Sequence, residues 1–274
     1  MLSNPTFSRF SNIALLLWLF ALTQSVMAML GVFSVTQSDA ERILFGIVEL
    51  ATIALLVLNA IAIKRFVAKH DSLAASYFSK ISLYSLLLCA AGDIVNRNFP
   101  QLFYQYDNVI KHSYLADSVI FFFPGYLMLA IAIAHFATKS GQSKKLLGIT
   151  AAITAIMALV TYHDMHLTGV AYLLTLVTAA YSVVVSILAI SAIWLIKSLH
   201  TYKLPVRIWC AALGLILAMV ADAIIGKFWI FGNEGQGYFP LVSHINWIIY
   251  FASQALIQQL PLGLLQLKLA SKPD

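Results

Sequence analysis

A helix crossing the roughly 30 Å hydrocarbon core of a bilayer needs about 20 mainly apolar residues. This chain carries eight such runs, at 12–34, 43–63, 78–97, 114–137, 146–162, 168–196, 207–231 and 241–264. Backbone groups in lipid must be satisfied internally, and the runs lack the strict alternation of barrel strands, so helices are expected. Composition agrees. Of 274 residues, 61% are hydrophobic and only 10% charged, against roughly 25% charged in a soluble domain. Mean hydropathy is +0.87. These values exclude a soluble enzyme, a disordered chain and a disulfide scaffold. The expected fold is all-α: one transmembrane domain, a polytopic bundle of eight transmembrane helices.

The breaks between runs fit this layout. Residues 138–145 (TKSGQSKK) form a polar turn, Pro205 precedes the seventh run, and a glycine-rich loop at 232–237 is closed by Pro240. At the start, Arg9, an apolar run and Val26-Met27-Ala28 have the outline of a signal peptide. The apolar run continues through 29–35 without pause, so it is read as a retained first helix.

The charged residues give the direction of the chain. With eight spans, both termini and the even-numbered loops share one side, and 13 of the 17 basic residues fall there. Arg42, Arg97, Lys111 and Lys227 lie toward the other side. The Lys/Arg bias places both termini in the cytoplasm, which in a bacterium means the inner membrane. Nine of the 11 acids lie toward the outer side, all but Asp71 and Asp274. The net charge of +6 therefore reads as an orientation signal, and no nucleic-acid partner is needed to explain it.

Residues 1–137 and 138–274 superpose at a shift of 129 residues. Asp93 falls on Asp222, Phe99 on Phe228, Phe122 on Phe251, Val95 on Ile224, and Asp117 on Asn246. Four spans per half would relate the halves by an axis along the membrane normal, a 4+4 parallel repeat. Chance matching of apolar residues explains much of the list, but not the Asp pair.

An ionisable group inside a membrane is costly and tends to be functional. Asp93 lies 13 residues from Lys80, about 20 Å along the helix. Asp222 lies 15 residues from Arg207, and Glu49 lies 15 from Lys64, each about 22 Å. Three acids thus share one level in the outer half of the bilayer, with Asp117 and Asn246 above them. Small residues precede both aspartates (Ala90-Ala91-Gly92 and Ala221), and small residues let helices approach closely. Two carboxylates crowded in a low dielectric split their proton affinities, supplying a general acid and a general base at one site. The competing reading makes each Asp a packing hydrogen-bonder or half of an ion pair. Arg97, one turn beyond Asp93, is a partner for Asp93, a phosphate ligand or an interfacial anchor.

Other features read more plainly. His163-Asp164-Met165-His166 has metal-like spacing but sits in a short outer loop, a solvated turn rather than a metal site. Trp194, Trp209, Trp229 and Trp247 fall near helix ends, as an aromatic belt would. Cys89 and Cys210 lie in apolar runs and read as small buried hydrophobes. No metal or cofactor is expected.

The chain resembles the YhhN family of eight-span membrane proteins, which includes the lysoplasmalogenases. Gly92-Asp93 in LLLCAAGDIV matches the family's Gly-Asp in the third span. Gly214 and Asp222 in GLILAMVAD match its Gly and Asp eight residues apart in the seventh. Tyr250, Gln254, Leu256 and Ile257 in YFASQALI match the end of its last span. Ala218 and Ala221 stand where the family has Phe and Ser.

The resemblance implies hydrolysis of the vinyl-ether bond of a lysoplasmalogen, a lysophospholipid, to a fatty aldehyde and glycerophosphoethanolamine or glycerophosphocholine. Asp93 and Asp222 would then be catalytic. Glu49, Asp117, Asn246, Tyr250 and Gln254 would support them, and Arg97 and Tyr114 would meet the head group. A proton-coupled transporter, or a non-catalytic lipid-binding membrane protein, fits repeats and intramembrane acids as well.

Overall fold

The computed structural model describes residues 5–35, 38–97, 99, 112–163, 172–230, 238 and 240–270, with residues 5, 6, 112–117, 174, 229 and 230 described by backbone alone. The described residues are helical and contain no strand. The helices are α1 (Pro5–Met29), α2 (Asp39–Val67), α3 (Leu73–Arg97), α4 (His112–Lys139), α5 (Lys144–His163), α6 (Tyr172–Ser198), α7 (Val206–Ile224), α8 (Leu241–Ile257) and α9 (Leu260–Ala270). A π-helical segment, Ile225–Ile230, prolongs α7. Eight spans are long and apolar enough to cross a membrane, and α8 with α9 makes up the eighth.

Two spans differ from the sequence expectation. The first begins at Pro5 and stops at Met29, rather than running from 12 to 34. Proline suits the first helical turn, whose amide is unpaired in any case. The stop is set by Gly31 at φ +79°, with Gly31 N–H donating to Ala28 O and Val32 N–H to Met27 O. That is a Schellman cap, which favours glycine at the left-handed position. The eighth span breaks at Gln258 and Gln259, just ahead of Pro261. Pro261 has no amide to donate to Ile257 O, which interrupts the helical hydrogen-bond ladder there.

Helix α2 starts on Ser38, whose side chain accepts from the Glu41 amide, as an N-cap does. Packing then closes a ring. Helix α2 packs on α3, α3 on α4, α4 on α6, α6 on α7, α7 on α8, α8 on α1, and α1 on α2. Helix α5 packs outside this ring on α6 and buries little beyond Leu147 and Tyr162. Helix α9 packs on α3, α7 and α2, filling the ring at one end with Leu260, Leu262, Leu264 and Leu265, all buried.

Buried amides tie that end together. Gln258 Nε2 donates to Ser82 O at 3.2 Å, Asn59 Nδ2 to Phe10 O at 3.2 Å, and Ser11 Oγ to Gln259 Oε1 at 2.7 Å. Such bonds between helices satisfy polar groups that lipid leaves unpaired. The outside is apolar, with Leu16, Ile120, Ile131 and Ile156 exposed.

The tryptophans correct one expectation. Trp194 and Trp247 are buried, and Trp194 Nε1 donates to Thr150 Oγ1 at 3.2 Å, so both are packing residues. Trp209 is exposed, as a belt residue is. The Trp229 side chain lies outside the described residues. Cys89 is buried as expected, whereas Cys210 is only half-buried.

Candidate active site

At the end of the ring opposite α9, where α3 and α7 finish and α2 and α8 begin, opens a cavity that continues along α6, about 700 Å³ in all. Asp93 and Asn96 reach it from α3, Asp222 from α7, and Asn246 and Tyr250 from α8. Both aspartates therefore face one chamber, as their matching positions suggest. Gly92 is needed next to Asp93. A methyl group there would stand 2.7 Å from Cε2 of Phe122, whose ring forms part of the wall. Ala221, beside Asp222, is buried against the same space.

Asp93 is 4% exposed and accepts a 2.7 Å hydrogen bond from the Tyr250 hydroxyl. A buried carboxylate costs free energy unless it is hydrogen-bonded or paired, and Tyr250 meets part of that need. The Tyr250 ring is held edge-on to Phe122, centroids 5.9 Å apart. One turn further along α8, Gln254 Nε2 donates to Tyr126 Oη at 3.2 Å. Asn246, Tyr250 and Gln254 recur every four residues, which sets them on one helix face.

The second aspartate is served differently. Tyr181 from α6 stands beside Asp222, and its ring stacks on Tyr126 with centroids 6.3 Å apart. Yet Tyr181 Oη and Asp222 Oδ2 close no hydrogen bond of standard geometry among the described residues. Asn246 Oδ1 is likewise buried without a bonding partner there. Buried polar atoms are normally paired, so these three are places for water or a ligand.

Arg97 and Glu49 depart from expectation. Glu49, 1% exposed, forms an ion pair with Arg97 and does not line the chamber. Arg97 is thus Glu49's partner rather than Asp93's, and its guanidinium also lies 5.1 Å from the Trp247 ring centroid. It still borders the cavity. Arg42 borders it as well, donating to Phe99 O at 3.3 Å and pairing with Asp39 at 3.4 Å. Each of these two arginines is thus already paired with a carboxylate.

The side chains of Tyr114 and Asp117 lie outside the described residues, as does the 163–166 motif apart from His163. Among the described residues no group of three or more His, Cys, Asp or Glu is placed to hold a metal ion. Sequence reasoning missed Tyr181, Asn96 and Tyr126, and also His244 of α8, which lines the cavity, and misread Trp247. A signal existed for the α6 contribution: Thr178, Ser182 and Ser186 recur every four residues inside an otherwise apolar run.

Fold and site together define a polytopic helical membrane protein with a carboxylate-lined chamber closed at one end. Compared with known proteins, the chain matches no family profile, no curated protein and no solved structure.

Proposed function

We propose that the protein is a membrane hydrolase that cleaves the vinyl-ether bond of lysoplasmalogens, releasing a fatty aldehyde and glycerophosphoethanolamine or glycerophosphocholine. The observation that carries the reading is that Asp93 and Asp222, from separate helices, line one chamber. The resemblance of their flanking motifs to the YhhN family supplies the substrate.

The chemistry needs only what two carboxyl groups provide. A carboxylic acid protonates the β-carbon of the enol ether and generates an oxocarbenium ion. A carboxylate steadies that cation and orients the water that attacks it, as in glycoside hydrolysis. The resulting hemiacetal expels the glycerol oxygen as an alcohol and leaves the aldehyde, so one water is consumed per bond cleaved. The unpaired oxygens of Asp222, Tyr181 and Asn246 are positions for that water. Arg97 and Arg42 supply N–H donors for the phosphate, shared with Glu49 and Asp39.

The same reading sets both termini in the cytoplasm, by the Lys/Arg bias, and the chamber toward the outer face. It treats the chain as a 4+4 repeat on the matching positions of Asp93 and Asp222, from which the packing departs in setting α1 in the ring and its counterpart α5 outside it. The packing of α9 into the opposite end of the ring favours an enzyme over a carrier, which must open to both sides.

The test is aldehyde release by purified protein from a lysoplasmalogen, beside an ester-linked lysolipid control. Asp93→Asn and Asp222→Asn are each expected to abolish turnover. Wild-type rates in either variant would remove the proposal.

A further inference from the structure

The chamber does not end at the carboxylates. A groove leaves it along α6, where Thr178, Ser182, Val185, Ala189 and Ile193 line the cavity at the three- and four-residue spacing of one helix face. From 178 to 193 that face is about 22 Å long, more than the ~15 Å depth of half a hydrocarbon core. Thr154, Met157 and Ala158 of α5 form one wall, and Ile216 and Met219 of α7 the other. Both helices pack on α6, which makes α6 the floor.

Polarity falls along this floor, with Ser186 the last polar residue lining it. Thr178, Tyr181 and Ser182 lie at the chamber end, and Ala189, Ile190 and Ile193 at the far end. Along the groove Met157 and Ile193 are each 65% exposed and Ile216 is 40% exposed. All three sit within helices long and apolar enough to span a membrane, so the groove opens sideways to lipid. The opposite end carries Arg97 and Arg42.

We propose that the groove binds a single hydrocarbon chain of a membrane amphiphile, which enters sideways between α5 and α7 and leaves its phosphate-bearing head in the chamber. The shape selects this occupant. A helix of a second protein copy, about 10 Å across, does not fit a groove that shares about 700 Å³ with the chamber. A water-soluble metabolite gains nothing from an apolar groove that faces lipid. A chain with a phosphate-bearing head matches both ends and the length. Tyr181 Oη, nine-tenths buried and beside Asp222, marks the point where the groove turns polar. The inference rests on the hydrolase reading only in setting the reacting bond beside Asp93 and Asp222.

The experiment uses the full chain in lipid nanodiscs and a lysophosphatidylcholine carrying a diazirine at its chain end. Its ester bond lies outside the proposed chemistry, so no turnover is required. Photolysis is expected to label Met157, Ile190, Ile193 and Ile216, as mapped by peptide mass spectrometry. Excess unlabelled lysophosphatidylcholine should abolish that labelling, and chainless glycerophosphocholine should not. Moving the diazirine next to the glycerol should shift the label to Phe122, Tyr181 and Tyr250. Ala189→Trp, which fills the groove floor, should lose the chain-end label.

Label concentrated on the outer apolar surface, such as Leu16 and Ile120, would overturn the proposal. So would label that competitor does not displace, or label unchanged in folded Ala189→Trp protein. If that variant does not fold, the competition and probe-shift results on the unaltered chain decide alone. Aldehyde release is not read, so loss of the hydrolase reading would leave this result standing, and the reverse also holds.

Discussion

The two aspartates occupy matching positions but have unlike neighbours, and the shift of 129 residues explains why. It maps Tyr250, which holds Asp93, onto Phe121, a ring with no hydroxyl. Asp222 therefore has no donor from the equivalent position and instead has Tyr181, from a different helix. Tyr250→Phe strands a buried carboxylate oxygen and should cost about 1–3 kcal/mol of stability. Tyr181→Phe removes a hydroxyl that stands beside Asp222 without a bond of standard geometry and should cost less, under about 1 kcal/mol. Thermal or denaturant unfolding in detergent checks both, and equal losses would contradict the geometry. Glu49 gives a second contrast. Glu49→Gln leaves the Arg97 charge with a neutral partner in a mostly buried site, and breaking such a pair costs up to about 3–5 kcal/mol. The remaining exposure of Arg97, 23%, should hold the loss toward or below the low end. Adding Arg97→Gln should recover part of it, a coupling that a double-mutant cycle reads directly. Asp93 and Asp222 were legible in the sequence because an acid in an apolar run has few explanations. Tyr181 was not, because a tyrosine in such a run reads as one more aromatic. Glu49 was legible as buried but not as Arg97's partner, since pairing depends on how α2 meets α3.

Helix contacts decide how close the elements that carry the site can come. At Gly214 of α7 a methyl group would stand 2.9 Å from Ile257 N and Ser253 O of α8. Those are backbone atoms, which cannot rotate aside. Gly214→Ala should therefore push α7 from α8, displacing Asp222 relative to Tyr250, at about 1–3 kcal/mol for overpacking. Gly148 of α5 is the matched control. A methyl group there meets nothing within 4 Å, so Gly148→Ala should be neutral or stabilising by up to about 1 kcal/mol. Unfolding midpoints of the two variants, measured in one detergent, separate packing from helix propensity. The existence of the spans was legible because a bilayer admits few alternatives to a run of about 20 apolar residues. Their ends were less so. Apolarity continues past Met29, and only the Schellman cap at Gly31 stops α1. Gln258 and Gln259 break the last span, although the run itself stays largely apolar. Hydropathy measures what lipid tolerates, while backbone capping and proline geometry fix where a helix stops.

Ring closure sets access to the whole molecule. Seven helices surround a lumen that α9 fills at one end and the chamber occupies at the other, a division invisible in the sequence because it depends on which helices meet. No apolar pattern marks α5 as the helix outside the ring, nor the groove it leaves beside α6. A single filled end has a consequence that separates a hydrolase from a carrier. A thiol placed in the chamber should react from one membrane face only. Asn96→Cys puts one on the chamber wall, in a Cys89→Ala/Cys210→Ala background, and Ser140→Cys puts another in the turn between α4 and α5. With a thiosulfonate reagent that does not cross membranes, Ser140→Cys should react from the cytoplasmic face, where the Lys/Arg bias sets that turn. Asn96→Cys should react from the opposite face alone, and excess lysophosphatidylcholine should slow it. An alternating carrier opens its midpoint to each side in turn, so reaction of Asn96→Cys from both faces would favour transport. The Ser140→Cys result, read in the same vesicles, fixes which face is which and keeps an inverted preparation from being mistaken for a second opening.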